Sequence, residues 1–378
     1  MKRIGIVTNF DRYNYGNRLQ NYAVQTVLEK LGFACRTLVP AAQYTPPAAE
    51  RLALAVKAAA YAVAPAWVAK THPDIARRCN IDAFNRNIHF DAVKCEQNCL
   101  PTSLANDYDY FVTGSDQVWN PHFWKTALGS DEAGFNNDLL CFARPEQRAC
   151  FAPSIGIDAL PPEWNDRFRD LWNSYKCVGV REDAGARLIA ELTGREDVQV
   201  MADPTLMLDA SDWDKVAREQ KAKPKKGYVL YMLLGKASAE IPDETRRYLF
   251  AMAKRKGWEN VTLFARQRPQ IFSSGAGEFL DLVRNAELVV TDSFHCSVFS
   301  FLYNRPFVVF KRRIEKYNID MFSRIDTLLK LLALDEKRPE NQLWDEEHLF
   351  ACNYEQGRAN LQKARESTLS FLKRSFDL

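Results

Sequence analysis

The segment Val289-Val290-Thr291-Asp292-Ser293-Phe294-His295 ends an apolar run with a small polar cluster, and a histidine sits inside that cluster. The chain has five histidines, and His295 is the one in a position built for chemistry. An imidazole titrates near neutrality, so it can give or take a proton or bind an anion. Asp292 and Ser293 share the turn, as a carboxylate to orient the ring and a hydroxyl to cap the next helix or face a ligand. A second charged turn, Arg181-Glu182-Asp183, follows a short apolar stretch. Arginine grips carboxylates and phosphates with a planar fork, which makes Arg181 a candidate for anion or sugar binding, with Asp183 beside it. Two further turns, Gly114-Ser115-Asp116-Gln117 and Asn14-Tyr15-Gly16-Asn17, set polar side chains around glycines. A basic stretch runs from Arg305 through Lys311-Arg312-Arg313, Tyr317 and Asn318 to Arg324. It is either a loop that folds over phosphate or a solvated face. Plainer roles also exist: His295, Ser293 and Asn17 as helix caps, and Arg305 as a complement to a helix C-terminus.

These turns need rigid elements to hold them, and the chain supplies a repeated grammar of short apolar strand, polar loop and helix. Strands are expected at 4–9, 36–39, 108–112, 148–153, 177–180 and 198–201, with a helix at 19–31. A charged, proline-containing stretch at 215–226 marks a boundary. A second series follows, with strands at 228–233, 261–264, 288–290 and 307–310 and helices at 241–256 and 278–285. Alternation of this kind builds parallel sheets, with ligands at the carboxyl ends of strands. The expectation is an N-terminal α/β domain at 1–205 carrying a partly helical excursion at 40–105. A C-terminal α/β domain follows at 206–350, and a last helix within 351–378 crosses back to the first.

Composition excludes several classes. The 51 basic and 48 acidic residues nearly cancel, leaving +3, too balanced for a global nucleic-acid footprint. Nine cysteines occur without a CxxC pair, so no metal site is expected and a reduced, cytoplasmic setting is the default. Met1 to Val7 begins a strand rather than a signal peptide. No GxGxxG or Walker motif is present, and no cofactor is expected. Residues 51–70, RLALAVKAAAYAVAPAWVAK, are apolar but broken by Lys57 and Pro65. They read either as a packed helix or as a helix on a membrane surface, which would put the protein at the inner face of the cell membrane.

The motifs together carry a resemblance. Tyr15-Gly16-Asn17, Gly114-Ser115-Asp116-Gln117-Val118-Trp119-Asn120, Gly179-Val180-Arg181-Glu182-Asp183, Asp203-Pro204-Thr205 and Thr291-Asp292-Ser293-Phe294-His295 resemble the polysaccharide pyruvyl transferase family. Asn285-Ala286, Arg305-Pro306-Phe307 and Ser323-Arg324-Ile325 extend the match. The resemblance implies two Rossmann-like parallel-sheet domains facing a cleft, similar to the glycosyltransferase-B arrangement. It implies transfer of a pyruvyl group from phosphoenolpyruvate to two hydroxyls of a sugar, giving a cyclic ketal on a cell-surface polysaccharide or its lipid-linked precursor.

Under that reading His295 is the general acid, with Asp292 or Asp116 positioning it. Arg181, Arg305, Arg324 and Ser293 bind the dianionic donor. Gly16, Asn17, Gly114, Ser115, Asp116, Gln117 and Asp183 line the substrate, and Trp119 either stacks on a sugar or packs beneath its loop. Cys296 stands where the family generally has glycine. Other classes remain open, namely a transferase of the same fold with a nucleotide-sugar donor, or a noncatalytic glycan-binding member.

Overall fold

The computed structural model describes residues 1–11, 13–44, 48–234, 241–311, 313–314, 319–320, 323–338 and 346–378. Arg312, Tyr317 and Asn318 of the basic stretch lie outside the described residues. The chain divides into two compact units. The first comprises Met1–Pro47, Asn87–Leu208 and Leu361–Leu378, and the second Ala48–Arg86 and Asp209–Asn360.

In the first unit, strands β1 (Arg3–Val7), β2 (Ala34–Pro40), β3 (Phe90–Val93), β4 (Tyr110–Thr113) and β5 (Arg148–Cys150) form one parallel sheet. Its order is β3-β2-β1-β4-β5. Ile4, Ile6, Phe111 and Val112 are wholly buried, as expected for parallel strands covered on both faces. Gly5 lets β1 fit between its neighbours, since a Cβ there would come within 2.8 Å of Leu38 and Phe111. The short parallel pair β6 (Gly179–Val180) and β7 (Gln199–Val200) continues the pattern, with Arg181 N–H donating to Pro153 O at 3.0 Å. The strand order reverses between β1 and β4. In such sheets the crevice for a ligand opens at the carboxyl ends of those two strands.

The second unit has a parallel sheet of β8 (Tyr228–Met232), β9 (Glu259–Thr262), β10 (Leu288–Thr291) and β11 (Phe307–Val309), in the order β11-β10-β8-β9. Here the reversal falls between β8 and β10, and His295 follows β10. A two-stranded antiparallel ribbon, β12 (Arg313–Ile314) with β13 (Ile319–Asp320), lies within the basic stretch.

Two assignments differ from the sequence reading. The helical part of the excursion, 48–86, belongs to the second unit and not to the first. Asn80 Nδ2 donates to Ser273 O at 2.8 Å, Arg266 pairs with Asp74, and a Cβ on Gly275 would lie 2.6 Å from the Asn80 backbone. Such long-range packing leaves no local pattern in the sequence. The remainder of the excursion returns to the first unit and contributes β3, an edge strand too short to stand out.

The last helix, Glu355–Ser375, is shared between the units. Tyr354 OH donates to Arg305 O near its start, and Asn360 Nδ2 donates to Leu331 O. Farther along, Arg365 donates to the Leu206 and Leu208 carbonyls, and Thr368 Oγ1 accepts from Ala202 N–H. No described helix is long and apolar enough to cross a membrane.

Candidate active site

The first unit's candidates meet at the carboxyl ends of β1 and β4. The helix after β1 runs Tyr15–Lys30 and starts four residues earlier than its apolar periodicity suggests. Asn14 is its cap, accepting from Asn17 N–H, so Asn17 is released from the capping role. Asn17 is 1% exposed; its Nδ2 donates to Asp116 Oδ2 at 3.4 Å, and its Oδ1 accepts from Arg18 Nη2 and from Asp11 N–H. After β4, Gly114 adopts φ 120°, and a Cβ there would stand 2.4 Å from Phe151 O, so only glycine fits. Asp116 is held at φ 68°, and its Oδ1 accepts Gln117 N–H. A left-handed aspartate is uncommon, and such conformations cluster at functional turns. The Ser115 backbone is clamped from both ends: its N–H donates to Gln20 Oε1, and its carbonyl accepts from Thr8 Oγ1. Gln20 in turn donates to Thr8 at 2.7 Å.

Arg181 reaches the same turn from β6. It is 3% exposed, donates to Asp203 Oδ2 at 2.6 Å, and stands 3.5 Å from Asp116 Oδ1. Burial works against its charge, but Asp203, Asp116 and Glu182 outweigh it and hold the guanidinium protonated. Arg181 is thus buried and engaged by two carboxylates. Asp203 is 2% exposed and also accepts Thr205 N–H and Thr205 Oγ1–H. Glu182 Oε1 accepts three donors, Ser154 Oγ–H, Ile155 N–H and Gly156 N–H, and so ties the loop after β5 to the turn after β6. Asp183, half-buried, begins the next helix.

Trp119 is fully buried; its indole donates to Asp138 O and its ring meets Trp172 and Tyr175, so it packs beneath the loop. Gln117 Oε1 accepts from Asn120 Nδ2 and lies where a Cβ on Gly156 would reach it, so its carbonyl end is already engaged.

The second unit's candidates sit at the end of β10. Thr291 Oγ1 donates to Met232 O and accepts Ser293 N–H, which fixes the turn. Ser293 caps the helix Phe294–Leu302 by accepting Cys296 N–H. Asp292, 2% exposed, accepts Leu234 N–H at 2.8 Å, tying β10 to the end of β8 across the switch point. His295 is in the first turn of that helix, 7% exposed, edge-on to Phe294. An imidazole at a helix N-terminus is surrounded by partial positive charge, a setting that draws anions.

Cys296 is fully buried and its thiol is pushed up to about 12 by that burial, so it is a passive packing group and not a thiolate nucleophile. Arg305 is half-buried; its N–H closes the helix end on Ser300 O at 2.7 Å, after Asn304 at φ 55°. Arg324 is 6% exposed in the first turn of Ser323–Leu332. Arg305 and Arg324 belong to the second unit, as His295 does. Among the described residues, no group of three His, Cys, Asp or Glu side chains is arranged to hold a metal ion.

The sequence reading passed over Gln20, Thr8, Arg18, Glu182 and Asp203 as members of these networks. A signal existed for two of them: Gln20 is a polar residue on the buried side of an otherwise amphipathic helix, and Asp203 follows a strand as Asp116 and Asp292 do.

Comparison with solved structures shows the same fold. The S. aureus MnaA–UDP structure matches with a TM-score of 0.51 at 12% identity, covering 100% of this chain and 98% of that one. A UDP-GlcNAc 2-epimerase from Neisseria meningitidis, bound to UDP-GlcNAc, matches with a TM-score of 0.50 at 10% identity, covering 98% and 99%. At such identities the likeness is one of fold, the glycosyltransferase-B-like α/β type. A search of curated proteins found no match. The family model for polysaccharide pyruvyl transferase matches residues 14–313, a span that takes in the Asn17, Asp116, Arg181, Asp203 and His295 turns alike. The chain belongs to the polysaccharide pyruvyl transferase family.

Proposed function

We propose that this protein transfers a pyruvyl group from phosphoenolpyruvate to two hydroxyls of a sugar, forming a cyclic ketal on a cell-surface polysaccharide or its precursor. The observation that carries the reading is His295 in the first helical turn after β10, within a chain whose family is named for pyruvyl transfer. Phosphoenolpyruvate is an enol ester of phosphate, and its methylene carbon is the site to protonate. His295 gives that carbon a proton, the methylene becomes a methyl, and positive charge develops at the adjacent carbon. One sugar hydroxyl adds there and loses its proton to a base. The phosphate then departs with the C–O electron pair, and the second hydroxyl closes the ring as its own proton is lost. Inorganic phosphate and the ketal are the products, with no redox change.

Asp116 is the proposed acceptor of a hydroxyl proton, because Asn17 Nδ2 and Arg181 fix its carboxylate in the turn after β4. Arg181 acts here as a positioning residue rather than a donor clamp. Asp292 positions the His295 turn through its bond to Leu234 N–H. The helix N-terminus beside Ser293, with Arg305 and Arg324, is the proposed ground for the phosphate and carboxylate. Gly114, Ser115 and Gln117 shape the turn after β4, and Gly16 and Asp183, in the first turns of their helices, are proposed to line the substrate.

The test is product analysis. Purified protein is incubated with phosphoenolpyruvate and a panel of lipid-linked glycans, and phosphate release is measured beside acid-labile pyruvate on the glycan. Stoichiometric appearance of both is expected. Neighbours in fold were solved with UDP and UDP-GlcNAc, which gives the nucleotide-sugar reading its one support. Thermal stabilisation by UDP, with no phosphate released from phosphoenolpyruvate on any acceptor, would overturn the proposal in favour of that reading. Glycan binding without turnover of either donor would leave a noncatalytic member.

A further inference from the structure

The arm inserted in the second unit has an apolar side that no described residue covers. The helix Ala48–Val63 packs toward the helix Pro73–Asn85 through Tyr61, whose hydroxyl donates to Asn80 Oδ1 at 2.8 Å. The helix Pro65–Thr71 turns Val68 and Ala69 inward onto Ala76, with Tyr61 and Ile75 at the edge of that small core. The outer side is different. Val56 is 64% exposed, Val63 86% and Trp67 59%. Ala59 and Ala60 are exposed as well, so Val56, Ala59, Ala60 and Val63 follow the spacing i, i+3, i+4, i+7 and make one continuous stripe. A helix that spends this spacing on solvent is not using it to fold.

Charge says what covers the stripe. From residue 51 to residue 73 there is no aspartate or glutamate, whereas Arg51, Lys57 and Lys70 fall in the segment. Lys57 and Lys70 are exposed. Glu50 precedes the segment directly, and the first acid after it, Asp74, is paired with Arg266. Lysine and alanine are depleted at protein–protein interfaces, where bulky aromatic anchors and arginine fill pockets. A smooth alanine-rich stripe, flanked by lysines and ending in an exposed tryptophan, has instead the composition of a helix lying in a bilayer interface. Sixteen residues of helix extend about 24 Å at 1.5 Å per residue, enough to lie along a surface, and no described helix is built to cross one.

We propose that the stripe of Val56, Ala59, Ala60 and Val63, with Trp67, docks on an anionic lipid surface. The stripe enters the headgroup–acyl boundary, Trp67 sits at headgroup level, and Lys57 and Lys70 extend to lipid phosphates. The proposal does not depend on the reaction assigned above. It bears on that reaction only by bringing the enzyme to where a lipid-linked glycan is found.

The experiment is flotation of the full chain with vesicles of phosphatidylcholine, with and without phosphatidylglycerol. Binding is expected to the anionic vesicles, weakening as salt is raised. The double variant Val56→Asp/Val63→Asp changes only exposed side chains, so its melting curve should match the wild type, while its bound fraction falls roughly tenfold or more. Lys57→Glu/Lys70→Glu should lose the preference for anionic lipid, and Leu378→Asp, at another exposed apolar site, should float as the wild type does. Equal flotation of wild type and Val56→Asp/Val63→Asp, or no flotation at all, would overturn the proposal. So would a dimer in light scattering that the aspartate variant dissociates, since the stripe's occupant would then be a second copy of this chain.

Discussion

His295 carries the sharpest expectation, because one side chain is tied to one step. Its ring is 7% exposed in the first turn of a helix whose cap, Ser293, is independently secured by Cys296 N–H. Replacing it with asparagine keeps a polar group of similar reach and removes proton transfer near neutrality. His295→Asn should lower kcat by roughly 10²–10⁴-fold, the ordinary worth of a general acid. Phosphoenolpyruvate affinity, read by titration calorimetry on the same preparation, should change little. Turnover near wild type would remove His295 from the chemistry, and lost affinity with unchanged kcat would make it a phosphate ligand. Cys296 follows the histidine at a helix start, but complete burial holds its thiol protonated.

Turns and short helices place these side chains, and their stability rests on buried charge. Asp203 accepts from Arg181 and from two groups of Thr205, so it caps the short helix Pro204–Met207 while holding the arginine beside Asp116. Removing one partner of such a pair leaves an uncompensated charge in the interior. Arg181→Met should therefore destabilise the protein by about 3–5 kcal/mol, measured by urea unfolding. The double variant Arg181→Met/Asp203→Leu should recover part of that loss, because neither charge is then left alone. A single-variant loss under about 1 kcal/mol would mean that the pair is well hydrated and does not organise the turn.

For the molecule as a whole, the chain's ends and insertions matter more than its order suggests. The last residues, 361–378, belong to the first unit and bury Leu361, Phe371, Leu372 and Phe376, the last against Phe33 and Tyr110. Four such side chains are worth roughly 6–12 kcal/mol together, comparable with the whole stability of a domain. Deleting 361–378 should abolish the cooperative melt of the first unit in calorimetry. An unchanged transition would show that the helix is only laid on.

What the sequence determined by itself was the alternating grammar and its consequences. Short apolar runs ending in polar turns announced parallel strands, and the turns at Asp116, Arg181 and His295 were found because a strand end is marked locally by a change from apolar to small polar residues. The ordered motifs pointed to the family that the family model matches. Tertiary structure alone decided the rest. That Arg181 belongs to Asp203 and Asp116 depends on three strand ends converging from positions far apart in the chain. That 48–86 joins the second unit depends on contacts such as Asn80 with Ser273, nearly two hundred residues away in sequence. The same holds for the exposed stripe on that arm. Its hydrophobic spacing is equally suited to a buried helix, because periodicity tells which residues share a face and only packing tells whether that face is covered.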